Sequence, residues 1–416
     1  MSARRRSAID RFEAADLPTD SAEEWRYSRV GELDLNRYHP VAAPSAPVEL
    51  PVQVTELLAE AGASVVTIDG WLVSPPTPPA GVEIIDLSVT GDDISGTISG
   101  EPDAFSTLSA ALAPSPLLIR IAAGAAGAAV STPIVIVHLT GSEGAATFPR
   151  TVVQIAEQAE ATVLEIMAST TARSDVLTVP VTELDVADAA NLRYVHVQLL
   201  GEDAWQIGLQ ASRVGRAATL TSTAVALGGY YARLRTDSAL VGPGGTTRLL
   251  AAYFGAGHQM HDFRTVQHHQ APRASSDLVY KGVVANRSRS VYTGLIRVEK
   301  GAAGTNALQT NRNLVLHEGA HAESVPNLEI EDNDVRCSHA SAVGPVAADQ
   351  RFYLESRGVP SDVAERLIAL GFLDEILASL PVAGTGAWLR GAVAAKLNAA
   401  EEAEAGLVAA GSRRNR

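Results

Sequence analysis

Six short motifs, each a small or polar residue followed by an apolar one, recur along the middle of the chain: Thr162-Val163, Asn191-Leu192, Thr219-Leu220, Arg248-Leu249, Asp277-Leu278 and Ala307-Leu308. The steps between them are 29, 28, 29, 29 and 30 residues. A period between roughly 20 and 50 residues belongs to solenoids and propellers. No Trp-Asp or Gly-His blade signature accompanies it, and each unit offers two Val/Ile/Leu/Thr-rich runs rather than four. One coil of a parallel β-helix per unit fits best, because each coil then satisfies the backbone groups of its neighbour. A β-sandwich with accidental spacing is the alternative. The expected fold class is mainly β, with a parallel β-helix core over residues 128–346. A mixed helical region (1–127) precedes the core and a helical domain (347–416) follows it.

The flanks read differently from the middle. Ser21-Ala-Glu-Glu-Trp25 has the form of a helix start, with Ser21 as N-cap and Glu24 as its capping-box partner. Val54–Ala61 is a second short helical candidate. Pro40, Pro44, Pro47 and Pro51 break the chain between them, and Ser74-Pro-Pro-Thr-Pro-Pro79 marks a turn or linker. Near the C-terminus Ser361-Asp362 caps a segment whose Val363, Leu367 and Leu370 form one apolar stripe, with Gly371 as its stop. Phe372, Ile376 and Leu380 begin a second stripe that ends at Pro381, and Trp388, Val393 and Leu397 lie on a third.

Charge and cysteine content exclude several classes. The 33 Lys+Arg stand against 47 Asp+Glu, a formal charge of −14. The basic clusters Arg4-Arg5-Arg6 and Arg413-Arg414 are short and terminal, so no basic stripe suits nucleic acid. The single cysteine, Cys337, forbids an internal disulfide framework and suits a reducing, cytoplasmic setting. No apolar core of a signal peptide follows Arg6. The longest uncharged apolar stretch, Ile121–Val137, contains Ser131, Thr132 and Pro133 and falls short of a membrane span.

Two histidine groupings invite a metal. His317-Glu318-Gly319-Ala320-His321 matches the H-E-x-x-H of zinc proteases. That chemistry needs a helix, whereas this segment follows the strand-like Asn313–Leu316, where positions four apart are separated by about 13 Å. His258, His261, His268 and His269, with Asp262, form the densest cluster; without a helix to align them, polar contacts at coil turns are the preferred reading. Phosphate-loop, dinucleotide and nucleophile-elbow signatures are missing. Any ATP-driven role therefore requires a partner.

One stretch carries more information than any single motif. Pro326-Asn-Leu-Glu-Ile-Glu-Asp-Asn-Asp334-Val-Arg-Cys337-Ser-His339, followed by Phe352-Tyr-Leu-Glu-Ser-Arg357-Gly358, resembles the SufB/SufD family. His261-Asp-Phe-Arg-Thr265 with His268, Ser276-Asp-Leu, Tyr292-Thr-Gly-Leu-Ile296 and Gln309-Thr-Asn-Arg312 follow the same pattern in the same order. The likeness is strong from about Tyr253 to Ile376, and Trp25-Arg-Tyr27 adds to it. Ser341-Ala342 departs from the usual Ala-Thr. Length and cysteine usage resemble the SufD-type more than the longer, cysteine-bearing SufB-type, which remains the alternative.

The resemblance implies a right-handed parallel β-helix serving as a non-catalytic scaffold for iron–sulfur cluster assembly. It implies pairing with a SufB-like chain, and docking of a SufC-like ATPase on the C-terminal helices through Phe352, Tyr353, Arg357, Gly358, Val363, Leu367, Leu370 and Phe372. It implies a nascent iron–sulfur cluster as cargo, and a reduced flavin in the assembled complex, with no cofactor bound by this chain alone. Cys337 and His339, two apart on a strand, share a face and are expected at the subunit interface. His339 ranks first, as a metal ligand shared with the partner chain, since two side chains cannot complete an iron site. From a different class, a β-helix enzyme acting on polysaccharide is disfavoured by the lack of a repeated charged ladder.

Overall fold

The computed structural model describes residues 3–44, 50, 52–59, 61–73, 78–90, 95–123 and 132–414. Pro47, Pro51, Ser131 and the 74–77 part of the proline-rich stretch lie outside them. The centre is a parallel β-solenoid of about seven turns. Each turn gives one strand to each of two sheets. The first sheet runs through Leu117–Ile121, Arg150–Ile155, Val181–Val186, Trp205–Val214, Tyr231–Leu240, Met260–His269, Arg289–Val298 and His321–Ile330. The second runs through Ala63–Ile68, Ile134–Thr140, Glu160–Ser169, Asn191–Leu199, Thr219–Ala226, Thr246–Gly255, Ser275–Val284, Thr305–Val315 and Val335–Gly344.

The near-constant sequence period averages coils of unequal length. In the second sheet Asn191 pairs with Thr219 and Thr219 with Thr246, steps of 28 and 27. Glu160 pairs with Asn191 and Ser275 with Asn306, steps of 31. The repeat predicts that its aligned leucines share one core row; Leu192 and Leu220 do face each other, but Leu249 pairs with Ser222 and occupies the next interior column. A shift of two keeps the side chain inside; a slip of one does not. Leu308 pairs with Asp277 rather than Leu278, so alternation turns it outward, 41% exposed, and it leaves the expected column.

The corners leading from the first sheet to the second explain the Gly-, Asn- and Ala-rich breaks. Gln158, Ala189, Ala217, Gly244 and Arg273 hold equivalent corner positions with φ between 52° and 71°. A non-glycine residue pays about 1–2 kcal/mol for that left-handed conformation. The offset is visible in the bonds: the Ala189, Ala217 and Gly244 amides donate to the Arg216, Pro243 and Pro272 carbonyls one coil on, at 2.8, 3.0 and 3.1 Å. Corners thus stack as regularly as strands do.

Helices α1 (Ala3–Ala14), α2 (Val52–Ala59), α3 (Leu87–Thr90) and α4 (Ala104–Leu112) precede the main body of the solenoid, and α5 (Ala348–Glu355), α6 (Ser361–Leu377) and α7 (Thr385–Arg414) follow it. The second sheet is apolar on its outer face too: Val135, Val137, Ile166, Val197, Phe254 and Val283 share one core with Leu57 of α2, Leu373 and Ile376 of α6, and Leu389 and Val393 of α7. Burial on both faces is why stretches such as Ile134–Val137 and Leu249–Phe254 read as continuous apolar runs. On the first sheet Trp25, Tyr38 and Phe105 cover Phe148, Trp205, Tyr231 and Met260.

Two local expectations are corrected. Ser21 does not cap a helix: the segment is a single 3-10 turn, Glu23–Trp25, and the Ser21 hydroxyl meets Thr19 Oγ1 at 2.6 Å. Burial of Trp25 against Phe105 sets that turn. Gly371 does not stop a helix: α6 runs through it to Leu377, and Ser361 makes no side-chain cap. Glycine inside a helix costs about 1 kcal/mol. Burial of Ala369, Leu373, Ile376 and Leu377 on the sheet outweighs that, at about 1.5–3 kcal/mol for each large side chain.

Candidate functional site at the open end of the solenoid

His321–Ile330 and Val335–Gly344 are the last strands of the two sheets. No residue of Val335–Gly344 is buried. One strand below, the alternation is sharp: Ala307, Gln309, Asn311 and Asn313 are 0–3% exposed, while Leu308 faces solvent. Cys337 pairs with Ala307 and His339 with Gln309, so both extend interior-facing columns to the mouth. Leu328, Ile330 and Val343, 37–45% exposed, line the same mouth with apolar surface. The structure therefore brings the predicted pair together, two residues apart on one face of a terminal strand.

Burial raises the Cys337 thiol above its ordinary value, and a backbone hydrogen bond at Ala307 pulls it back only in part. The sulfur is thus a neutral thiol until a metal or cation arrives to stabilise the thiolate. Imidazole and thiolate together suit iron, and two ligands leave the coordination sphere unfinished.

Below the mouth the interior is polar, a feature the sequence reading passed over. Tyr253 Oη donates to Asn313 Oδ1 at 2.7 Å, Asn313 Nδ2 donates to Asn311 Oδ1 at 2.8 Å, and Asn311 Nδ2 to Tyr253 Oη at 3.1 Å. Gln267 Nε2 donates to Ser276 Oγ at 2.7 Å, and His269 Nε2 is 2.8 Å from the same oxygen. Burial, helped by His268, lowers His269 to about 4, so its ring is neutral. Farther down, Glu165 bonds His138, Thr151, Thr182 and Tyr194. The polar alternation Gln309-Thr-Asn311-Arg-Asn313 was the available signal for this lining.

The four clustered histidines do not form a metal site. His258 sits in a turn, where its carbonyl accepts from Arg29 at 2.6 Å. His261 faces inward, bonded to the Gly228 carbonyl at 3.1 Å, and burial beside Lys396 lowers it to about 3. His268 faces out toward Glu299 at 2.7 Å. His317–Ala320 is a turn and His321 begins a strand, so the protease pattern has no helix. No group of three or more metal-ligating residues occurs among the described residues.

The expected ATPase-contacting residues gather on α5 and α6. Phe352, Tyr353 and Leu367 are 70%, 59% and 49% exposed. Arg357 stacks over Tyr353 with 5.4 Å to the ring centre, and Gly358 turns the chain at φ 85°. Val363, Leu370 and Phe372 are half-buried, with the Lys281 ammonium 4.7 Å from the Phe372 ring centre. The face of α6 that packs on the sheet carries Ala369, Leu373, Ile376 and Leu377. The Val363–Leu367–Leu370 stripe is the other, less covered one. No helix of the described residues is long and apolar enough to cross a membrane.

Residues 138–372 match the family model described as SUF system FeS cluster assembly, SufBD core domain. An iron–sulfur cluster assembly SufBD family protein of Mycobacterium bovis is 34% identical over 284 residues, covering 66% of this chain and 70% of that protein. The iron–sulfur cluster assembly protein SufD of Escherichia coli is 30% identical over 380 residues, 88% of this chain and 85% of its own. SufD of Bacillus subtilis is 28% identical over 256 residues, covering 61% and 59%.

Proposed function

The chain belongs to the SufBD family of iron–sulfur cluster assembly proteins, and from that premise we propose that it is a non-catalytic, cytoplasmic scaffold of the SufD type. It pairs with a SufB-type chain through the open end of its solenoid, and it carries a SufC-type ATPase on α5 and α6. The nascent cluster is cargo at the subunit junction, held on this side by His339 and Cys337, and a reduced flavin belongs to the assembled complex.

One observation carries this reading: an imidazole and a thiol project from the interior columns of a terminal strand in which every residue is exposed or half-exposed. A solenoid end needs capping, and unpaired strand edges beside exposed Leu328, Ile330 and Val343 suit a second solenoid end. A partner docked there would supply the missing ligands. The exposed Phe352, Tyr353 and Leu367 supply a separate apolar surface for the ATPase.

His339→Ala tests the reading. The variant is expected to keep its thermal midpoint and its co-purifying partners while losing cluster formation in the complex. Normal maturation of client iron–sulfur proteins in cells that carry only this variant would refute the site.

A further inference from the structure

The interior column that ends in His339 carries, one strand below, a side chain with nothing to bond. Gln309 is the register partner of His339 and is 1% exposed. Its Nε2 and Oε1 are both enclosed without a hydrogen-bond partner, a condition it shares with no other amide side chain among the described residues. Leaving such a group unpaired in the interior costs about 1–3 kcal/mol. From the facing sheet, Ser324 Oγ is likewise enclosed and unpaired.

The two orphans face the same interior from opposite sheets. A Cβ built on Gly294 would fall 2.3 Å from Gln309 Nε2 and 2.3 Å from the Tyr292 hydroxyl, so the amide packs into the space that a side chain would take there. Ser324 is the register partner of Tyr292. Gln309, one strand below His339, and Ser324, on the last strand of the facing sheet, thus both face the interior at the open end. None of the interior-facing residues on the last two strands of either sheet is Asp or Glu. A hard cation would find no carboxylate there, whereas an anion finds an amide N–H and a hydroxyl.

The geometry points to Gln309 and Ser324 as hydrogen-bond donors to an anionic sulfur of the iron–sulfur cargo, holding it below the thiol and imidazole at the mouth. The inference rests on the cluster-handling role proposed above and adds the residues that receive the sulfur side. Hydrogen bonds of this kind stabilise charge on sulfur and tune the cluster that carries it.

Gln309→Leu separates this from a purely structural role, because leucine has similar bulk and no polar atoms. The full-length chain, co-purified with its SufB-type partner, is loaded anaerobically with ferrous iron and sodium sulfide. Cluster absorbance is then followed as a ferrous chelator strips it. Cluster loss is expected to be about tenfold faster in Gln309→Leu, the scale of outer-shell effects at metal sites, with a smaller change for Ser324→Ala. The thermal midpoint of the unloaded Gln309→Leu chain should equal or exceed that of the parent, since an unpaired amide has been removed. A lowered midpoint would show that the amide was already satisfied, and would overturn the inference. So would unchanged cluster loss in Gln309→Leu beside a His339→Ala variant that fails to load. If His339→Ala loads normally, the cluster-handling reading itself falls, and this inference with it.

Discussion

Replacing Glu165 with Gln keeps the shape of a side chain that the fold uses as a charged hub. Glu165 is fully buried; its Oε1 accepts from Thr151 at 2.6 Å and meets His138 Nε2 at 3.0 Å, while Oε2 accepts from Thr182 at 2.8 Å and from Tyr194. Burial pushes the carboxyl up, but the hydrogen bond and charge of His138 outweigh it and hold the group at about 2 instead of the ordinary 4.5. A shift of that size corresponds to about 3 kcal/mol of stability near neutral pH. Breaking a buried pair from one side costs about 3–5 kcal/mol, so two routes agree. The sign follows from linkage: the unfolded chain takes up this proton as pH falls through 4.5, the folded chain only near 2. The contribution is whole above 4.5 and fades between 4.5 and 2. Urea unfolding followed by tryptophan fluorescence should place Glu165→Gln about 3 kcal/mol below the parent at pH 7. The gap should be smaller at pH 3.5 by at least roughly 1 kcal/mol. Equal stabilities at pH 7, or a gap that does not narrow in acid, would refute the hub.

Two further outcomes are expected. Lys396 of α7 donates to the carbonyls of Leu227 and Phe254, and burial lowers it to about 7 from 10.5 while Glu202 pulls it back. Between those values the unfolded chain holds the extra proton, so stability should rise with pH; from pH 7 to 9 the parent should gain about 2 kcal/mol over Lys396→Met in denaturant titrations. Phe352→Ser with Tyr353→Ser removes two largely exposed rings, so pull-down of the proposed SufC-type ATPase should drop at least about tenfold with the thermal midpoint unchanged; undiminished capture would refute the proposed docking surface.

The repeat was legible because a solenoid writes its period into the chain, but the phase of individual columns was not. Coil steps of 27 to 31 residues cannot be told from a steady 29 when the differences are absorbed at corners, and so Leu249 moved one column and Leu308 turned outward. That Cys337 and His339 share one strand face was legible because period two needs only the strand to be real. The polar interior escaped notice, since Gln309 and Glu165 look like ordinary surface residues until the register encloses them. Likewise Gly371 carries a stop signal in isolation, and only the sheet beneath α6 overrides it. Each miss lies where a distant neighbour, absent from the local pattern, decides the outcome.

The unburied last strand also predicts how the molecule breathes. In a stack whose members are stabilised only by the ones adjoining them, an interior coil is clamped from two sides and a terminal coil from one. Among the described residues, Val335–Gly344 pairs as a strand with Thr305–Val315 alone. Amide exchange should therefore be graded along the axis, fastest at this end and slowing over successive turns. Whatever docks on the mouth completes the clamp, so its arrival slows exchange several coils away from any atom it touches. The solenoid reports on its own occupancy through the rigidity of its core.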